Sequence, residues 1–114
     1  MHELSIMQGA MDTVLSEARN QQASRVLRVT MRIGDLTGLV PGSLQFAFEV
    51  LRANTPASEA VLEVESVPAS CYCERCRRRF RQAGPFDRTC PGCGSSPCAI
   101  VAGREVEVAS IEVE

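Results

Sequence analysis

The stretch CYCERCRRRFRQAGPFDRTCPGCGSSPC, residues 71–98, contains all six cysteines of this 114-residue chain. It is rich in Cys, Arg, Gly and Pro and poor in large aliphatic residues, so it cannot build an apolar core of its own. Cys73 and Cys76 form one C-x-x-C pair, Cys90 and Cys93 form a second, and thirteen residues separate the two pairs. Because two such pairs can present four thiolates tetrahedrally to one ion, the spacing predicts a structural Zn(II) site.

A closed set of four cysteines leaves no coordination position for water, so we expect a structural rather than a hydrolytic metal. Metal binding would organise the module in place of a hydrophobic core, because a binding free energy of about 10 kcal/mol or more becomes folding free energy. Phe80 and Phe86 lie between the two pairs and can cover the site. Cys71 and Cys98 are surplus to the set. We interpret them as auxiliary free thiols; the alternative is that either replaces a ligand when the metal load or the pH changes.

Two segments before the cysteines have the periodicity of amphipathic helices. Apolar residues recur at three- and four-residue steps from Leu4 to Ala18, which predicts a helix that starts almost at the first residue. A second apolar stripe begins after Pro41, whose missing N–H is harmless in the first turn of a helix, and ends near residues 53–56.

Three further segments alternate between apolar and polar residues, as strands with one buried face do, at 25–35, 59–67 and 104–114. In the last segment the apolar phase slips near Ala109 and Ser110, which predicts a bulge or a change of exposure there. In the first segment, the residues expected on the buried face are Leu27, Val29, Met31 and Ile33.

Together these patterns predict an α+β fold in which two helices pack on a three-stranded sheet and a zinc-ribbon-like module is inserted into that layer. The predicted domains are residues 1–68 plus 101–114 for the α+β part and residues 69–100 for the cysteine module. Pro68 and Gly103 lie near the two hinges.

The charge distribution argues against a polyanionic partner. The formal net charge is −2, from 12 arginines and 14 acidic residues with no lysine. The one basic patch, RCRRRFR at 75–81, can contact phosphates, so a zinc-ribbon nucleic-acid-binding module that uses Arg75–Arg81 is the alternative function. We prefer a solvated hairpin surface or a docking face for an acidic protein, because basic residues cluster nowhere else, and we therefore expect no nucleic acid as partner.

The residue inventory disfavours catalysis and membrane insertion. The chain contains no Ser/His/Asp set, no phosphate-binding glycine loop and no paired catalytic carboxylates, so we do not expect an enzyme. No apolar run approaches the ~20 residues that cross a bilayer, and the start of the chain lacks the features of a signal peptide. These observations predict a cytoplasmic protein without a membrane partner.

The N-terminal residues Met1-His2-Glu3 can form a chelating site. Because His2 is bulky, methionine aminopeptidase should retain Met1, and the α-amine, the His2 amide nitrogen and the imidazole can then close two adjacent chelate rings. Such a planar nitrogen set favours Ni²⁺ or Cu²⁺ over Zn²⁺ and suits transient binding. Glu3 is a candidate further ligand, although a favourable charge in the first turn of a helix would explain it equally. If this terminus is inert, the chain is a structural adaptor.

Several segments in this order resemble the HypA family of nickel metallochaperones, which serve maturation of nickel–iron hydrogenase: MHELSIMQ at 1–8, the 32–51 segment, CERC, CPGCG and the ending at 103–114. The resemblance implies transient Ni(II) on Met1, His2 and Glu3 and structural Zn(II) on Cys73, Cys76, Cys90 and Cys93. It also implies delivery to the hydrogenase large-subunit precursor together with a HypB-type GTPase, and in some bacteria work with urease accessory proteins. We expect a monomer or a weak homodimer.

Overall fold

The computed structural model describes the backbone from His2 to Glu114 and the side chains from Glu3 onward. Within these residues the elements are α1 His2–Asn20, β1 Val26–Gly34, a short 3-10 helix Asp35–Thr37, α2 Pro41–Leu51, β2 Val61–Val67, β3 Ser70–Cys73, β4 Arg78–Arg81, β5 Ala99–Ala102 and β6 Val106–Val113. The strands form two three-stranded sheets, with the orders β2-β1-β6 and β4-β3-β5. The predicted α+β class with two helices is confirmed.

The chain divides into two compact units. The helical unit comprises Met1–Arg32, Leu39–Glu65 and Val106–Glu114. The cysteine unit comprises Ile33–Gly38 and Ser66–Glu105, so the 3-10 helix that follows β1 belongs with the cysteines. Within residues 2–114, neither helix combines the length and the hydropathy that crossing a bilayer requires.

The helical unit has a conventional apolar core. One face of α1 is buried at the predicted three- and four-residue spacing, and α2 starts at Pro41, with a buried stripe of its own. A fully buried Val, Leu, Phe or Met side chain stabilises a fold by about 1.5–3 kcal/mol. The buried residues of the two helices are Met7, Met11, Val14, Ala18, Leu44, Ala47 and Phe48.

Two strands depart from simple alternation. In β1 the buried residues include Val26, whereas Leu27, which alternation places on the buried face, is 38% exposed. That expectation for Leu27 was wrong, because the step from Val26 to the next buried residue is three rather than two. In β6 the half-buried residues are Val108, Ile111 and Val113, so the exposure changes phase where the sequence predicts it.

Sulfur dominates the core of the cysteine unit. Cys71 of β3 lies opposite Phe80 of β4 and Ile100 of β5 in the two antiparallel ladders. The fully buried members of this cluster are all cysteines, and the hydrophobic side chains packed against them are only partly buried. The buried members are Cys71, Cys73, Cys90 and Cys98.

A close approach of two glycines connects the end of β1 to the segment after β5 within the cysteine unit. The Gly34 N–H donates to the Glu105 carbonyl at 2.8 Å, and the Leu36 N–H donates to the Gly103 carbonyl at 2.8 Å. A Cβ atom on Gly34 would lie 2.1 Å from the Gly103 carbonyl carbon, so only glycine fits there. Gly103 has φ +116°, a conformation that other residues rarely adopt.

Candidate metal centre

The four cysteines of the two C-x-x-C pairs converge on one point. Their Sγ atoms all lie within 4.8 Å of one another. The Cys73 and Cys93 sulfurs are 3.6 Å apart, and the Cys76 and Cys90 sulfurs are 3.8 Å apart. A tetrahedron of sulfurs with metal–sulfur bonds of about 2.3 Å has edges of about 3.8 Å, so the donor set fits a tetrahedral metal such as zinc. The group is therefore a metal-binding site of four cysteines.

In both C-x-x-C turns a backbone N–H donates to the first sulfur, from three residues further on in the first turn and two residues further on in the second. In the first, the Cys76 N–H donates to Cys73 Sγ at 3.4 Å; in the second, the Gly92 N–H donates to Cys90 Sγ at 3.3 Å. The residue after each pair has a left-handed backbone, with φ +56° at Arg77 and +78° at Gly94. Each turn thus directs backbone donors at the first sulfur of its pair, and such donors stabilise a thiolate.

Hydrogen bonds lower the pKa of two of the ligand thiols and raise the pKa of a third. Donation from the Ser95 hydroxyl and amide lowers the pKa of Cys93 to about 6. Donation from the Cys76 N–H lowers the pKa of Cys73. Hydrogen bonds with Cys93 and Cys90 raise the pKa of Cys76 to about 12. A metal must therefore displace at least the Cys76 proton, so acidification weakens metal binding.

Ser95 is a site residue that reasoning from the sequence missed. Its hydroxyl lies 3.1 Å from Cys93 Sγ, two residues along the chain. The signal was present in the run CPGCGSS, because a serine shortly after the second cysteine can turn back to it. The Ser95 carbonyl also accepts a hydrogen bond from the Cys98 thiol at 3.4 Å.

The two surplus cysteines lie beside the site but outside the ligand group. Among the described residues, the set of sulfurs within 4.8 Å contains neither Cys71 nor Cys98. Both are buried, with 0% and 7% of their surface exposed, and both are free thiols. Burial raises the pKa of Cys98, so this thiol stays protonated, and its position outside the converging group separates it from the four ligands.

The two phenylalanines expected to cover the site differ. Phe80 packs against the sulfur cluster. Phe86 is 95% exposed, so the expectation that it covers the site was wrong. Phe80 belongs to β4 and is held opposite Cys71, whereas Phe86 lies in the segment between β4 and β5, which contains no strand.

Of the predicted N-terminal ligands, the structure describes only the Glu3 side chain. Met1 and the His2 side chain lie outside the described residues. The Glu3 Oε2 atom accepts a hydrogen bond from the Val40 N–H at 3.1 Å, which ties the first turn of α1 to the residue before α2. Its carboxylate also suits the positive end of the α1 dipole.

Comparison with known proteins identifies the family. The family model described as "Hydrogenase/urease nickel incorporation, metallochaperone, hypA" matches residues 1–113. A hydrogenase maturation factor HypA from a Picosynechococcus species is 42% identical over 113 residues, covering 99% of each chain. One from Geobacter metallireducens is 40% identical over 114 residues, covering 100% of each.

The fold agrees with solved structures. The solution structure of the Ni metallochaperone HypA from Helicobacter pylori superposes with a TM-score of 0.70 at 23% identity, covering 97% of this chain and 96% of that one. A second solution structure of a HypA protein gives 0.78 at 24% identity, covering 100% and 97%. Because the family model matches residues 1–113 and the Picosynechococcus relative is 42% identical over 99% of each chain, the chain belongs to the HypA family of hydrogenase nickel-incorporation metallochaperones.

Proposed function

We propose that this protein binds Ni(II) at its N-terminus and delivers it during maturation of nickel–iron hydrogenase, as a carrier and not as an enzyme. The observation that carries the proposal is the family match over residues 1–113, which includes the chelating sequence Met1-His2-Glu3. Nickel is cargo here, so the site must release the ion as well as bind it.

The start of α1 supports transient binding. Because the helix begins at His2, the His2 amide is among the first N–H groups that lack an intrahelical acceptor, so metal binding there breaks no helical hydrogen bond. The positive end of the helix dipole opposes a bound cation. A planar set of nitrogens supplies strong donors, and the dipole weakens their hold on the metal.

We propose structural Zn(II) on Cys73, Cys76, Cys90 and Cys93, with residues 69–100 as the zinc module and residues 1–68 plus 101–114 as the nickel-binding domain. The sulfur–sulfur distances of 3.6 and 3.8 Å support this assignment, as does the absence of a position for water in a set of four thiolates. Zinc would supply folding free energy to a unit whose core is mostly sulfur.

The proposed partners follow from the same family role. They are the hydrogenase large-subunit precursor, a HypB-type GTPase and, in organisms with urease, urease accessory proteins. The proposed location is the cytoplasm, where free thiols persist because the compartment is reducing. We propose that the protein works as a monomer or a weak homodimer.

The decisive experiment is nickel titration of untagged, zinc-loaded protein. We expect one Ni²⁺ per chain with the d–d absorption of a square-planar site, because the amine, amide and imidazole nitrogens lie in a plane. His2→Ala, or an N-terminal tag, should abolish this absorption while the zinc content measured by mass spectrometry stays the same. Unchanged nickel affinity in His2→Ala contradicts the proposal.

A further inference from the structure

Strand β4 has a neighbour on one side only, since the order of its sheet within the described residues is β4-β3-β5. The Gln82 N–H donates to the Ala69 carbonyl at 3.1 Å, so these two residues are a hydrogen-bonded pair at the end of the antiparallel ladder between β4 and β3. Hydrogen-bonded pairs alternate along an antiparallel ladder, so Phe80 and Arg78 point their backbone groups at β3. The backbone N–H and C=O groups of Arg79 and Arg81 therefore face the open edge.

The side chains of Arg79 and Arg81 lie on one face of the sheet. Arg79 is opposite Tyr72 and Arg81 is opposite Ser70, on the face away from the buried cysteines of β3. Both arginines are exposed, and alternate residues of a strand are about 6.6 Å apart. A recess of about 320 Å³ adjoins them, lined partly by the apolar residues Val67, Pro68, Phe80 and Ala102.

Arginines outnumber carboxylates in the cysteine unit, and they remain in slight excess when the net charge of −2 of four thiolates around one Zn²⁺ is included. Seven of the 12 arginines but only four of the 14 acidic residues belong to this unit. Where the structure describes ion pairs, the arginines that form them are Arg25, Arg28 and Arg32 of the helical unit. Arg79 instead donates to the Ser70 hydroxyl at 3.1 Å and has no ion pair with a carboxylate of the described residues.

We propose that the open edge of β4 binds an extended acidic segment of a partner protein as a fourth strand. The segment carries carboxylates at alternate positions, one opposite Arg79 and one opposite Arg81. Main-chain hydrogen bonds to the open edge supply affinity, and the two cross-strand charge pairs select the sequence. This interaction goes beyond the proposed nickel delivery and does not depend on it.

Two other occupants fit the edge less well. A second copy of β4 would place arginine opposite arginine, and edge charges of this kind exclude self-pairing. A nucleic acid would satisfy the arginines, but its phosphates are acceptors only and cannot donate to the outward carbonyls of Arg79 and Arg81. An edge that alternates donors with acceptors is matched by another strand.

The probe is a fluorescein-labelled peptide of sequence GVEVEVG, titrated by fluorescence anisotropy with the full-length, zinc-loaded protein. We expect the double variant Arg79→Glu/Arg81→Glu to weaken binding by roughly tenfold or more, because two attractive pairs become repulsive. The matched control Arg75→Glu/Arg77→Glu makes the same charge change in the preceding turn and should cost less than about threefold. Zinc content must be equal in all variants. Equal losses in the two double variants overturn the proposal.

Backbone pairing is tested with the peptide itself. Methylation of the backbone nitrogens of both glutamates removes the donors that face β4 and should abolish binding. The control is methylation of the backbone nitrogens of the two valines that follow the glutamates. These N–H groups point away from β4, so binding should be preserved. A peptide with Lys in place of Glu should bind the Arg79→Glu/Arg81→Glu variant and restore the interaction. Insensitivity to glutamate methylation, or tighter binding of oligouridylate than of the acidic peptide, would overturn the proposal.

Discussion

Gln82 is a residue whose side chain conflicts with its surroundings. Its Nε2 and Oε1 atoms are buried and have no hydrogen-bond partner among the described residues. An unpaired buried amide costs about 1–3 kcal/mol. We expect Gln82→Met, which keeps the length of the side chain but removes the amide, to raise the free energy of unfolding by about 1–2 kcal/mol.

Urea unfolding of the zinc-loaded protein, followed by circular dichroism, measures this difference. The matched control is Gln8→Met on the exposed face of α1, which should change stability by less than about 0.5 kcal/mol. A less stable Gln82→Met variant would mean that the amide makes hydrogen bonds in solution.

The cysteines separate into ligands and neighbours, which single substitutions can distinguish. Cys73→Ser removes one of the four converging sulfurs, so zinc affinity should fall by more than the roughly 10–100-fold typical of losing an outer-shell partner. Cys71→Ala and Cys98→Ala should retain one zinc per chain after dialysis against a competing chelator. Zinc loss in Cys98→Ala would favour the alternative in which this thiol replaces a ligand.

At single positions, the sequence predicts what depends on local spacing and misses what depends on distant contacts. Two C-x-x-C pairs indicated the four converging sulfurs because each pair is a turn of its own. The hydrogen bond from the Val40 N–H to Glu3 joins residues 37 apart, and no periodicity signals it. The prediction that Leu27 is buried was wrong because strict alternation does not indicate the three-residue step between buried residues at the start of β1.

Among the elements, the junction between the end of β1 and the segment after β5 depends on glycine. Gly34→Ala would place a Cβ atom 2.1 Å from the Gly103 carbonyl oxygen as well as its carbon, and backbone atoms cannot move aside as a side chain can. We expect this variant to lower the free energy of unfolding by about 2–3 kcal/mol, as overpacking does.

Gly9→Ala is the matched control for Gly34→Ala. Gly9 lies in α1, where an added Cβ meets nothing within 4 Å. Because alanine favours helix, this variant should gain about 0.5–1 kcal/mol. Both are measured by urea denaturation. Equal stability of Gly34→Ala and the unmodified protein would mean that the junction opens readily in solution.

Long periodic elements were predictable and short ones were not. Helices α1 and α2 extend over 19 and 11 residues, enough for several repeats of an apolar stripe. Strands β3, β4 and β5 have four residues each, too few for alternation to stand out. Their ladders instead surround the sulfur cluster, so their order depends on contacts that the sequence pattern does not express.

At the scale of the whole molecule, the two units are stabilised by different means. The helical unit buries aliphatic and aromatic side chains from both helices. The cysteine unit has a cluster whose buried members are thiols, with Phe80 and Ile100 packed against it, and the only larger apolar side chains that its described residues bury are Ile33 and Val67. We therefore expect apolar burial to stabilise the first unit and the second unit to depend on the free energy of metal binding.

Metal removal should consequently unfold one unit and spare the other. With a strong zinc chelator, we expect hydrogen-exchange protection to disappear in β3, β4 and β5 while the amides of α1 and α2 stay protected. Circular dichroism at 222 nm should fall little, because both α-helices belong to the helical unit. Added Zn²⁺ should restore protection. Mg²⁺ should not, because Mg²⁺ prefers oxygen ligands to thiolates. Uniform loss of protection across both units would show that the helical core depends on the metal as well.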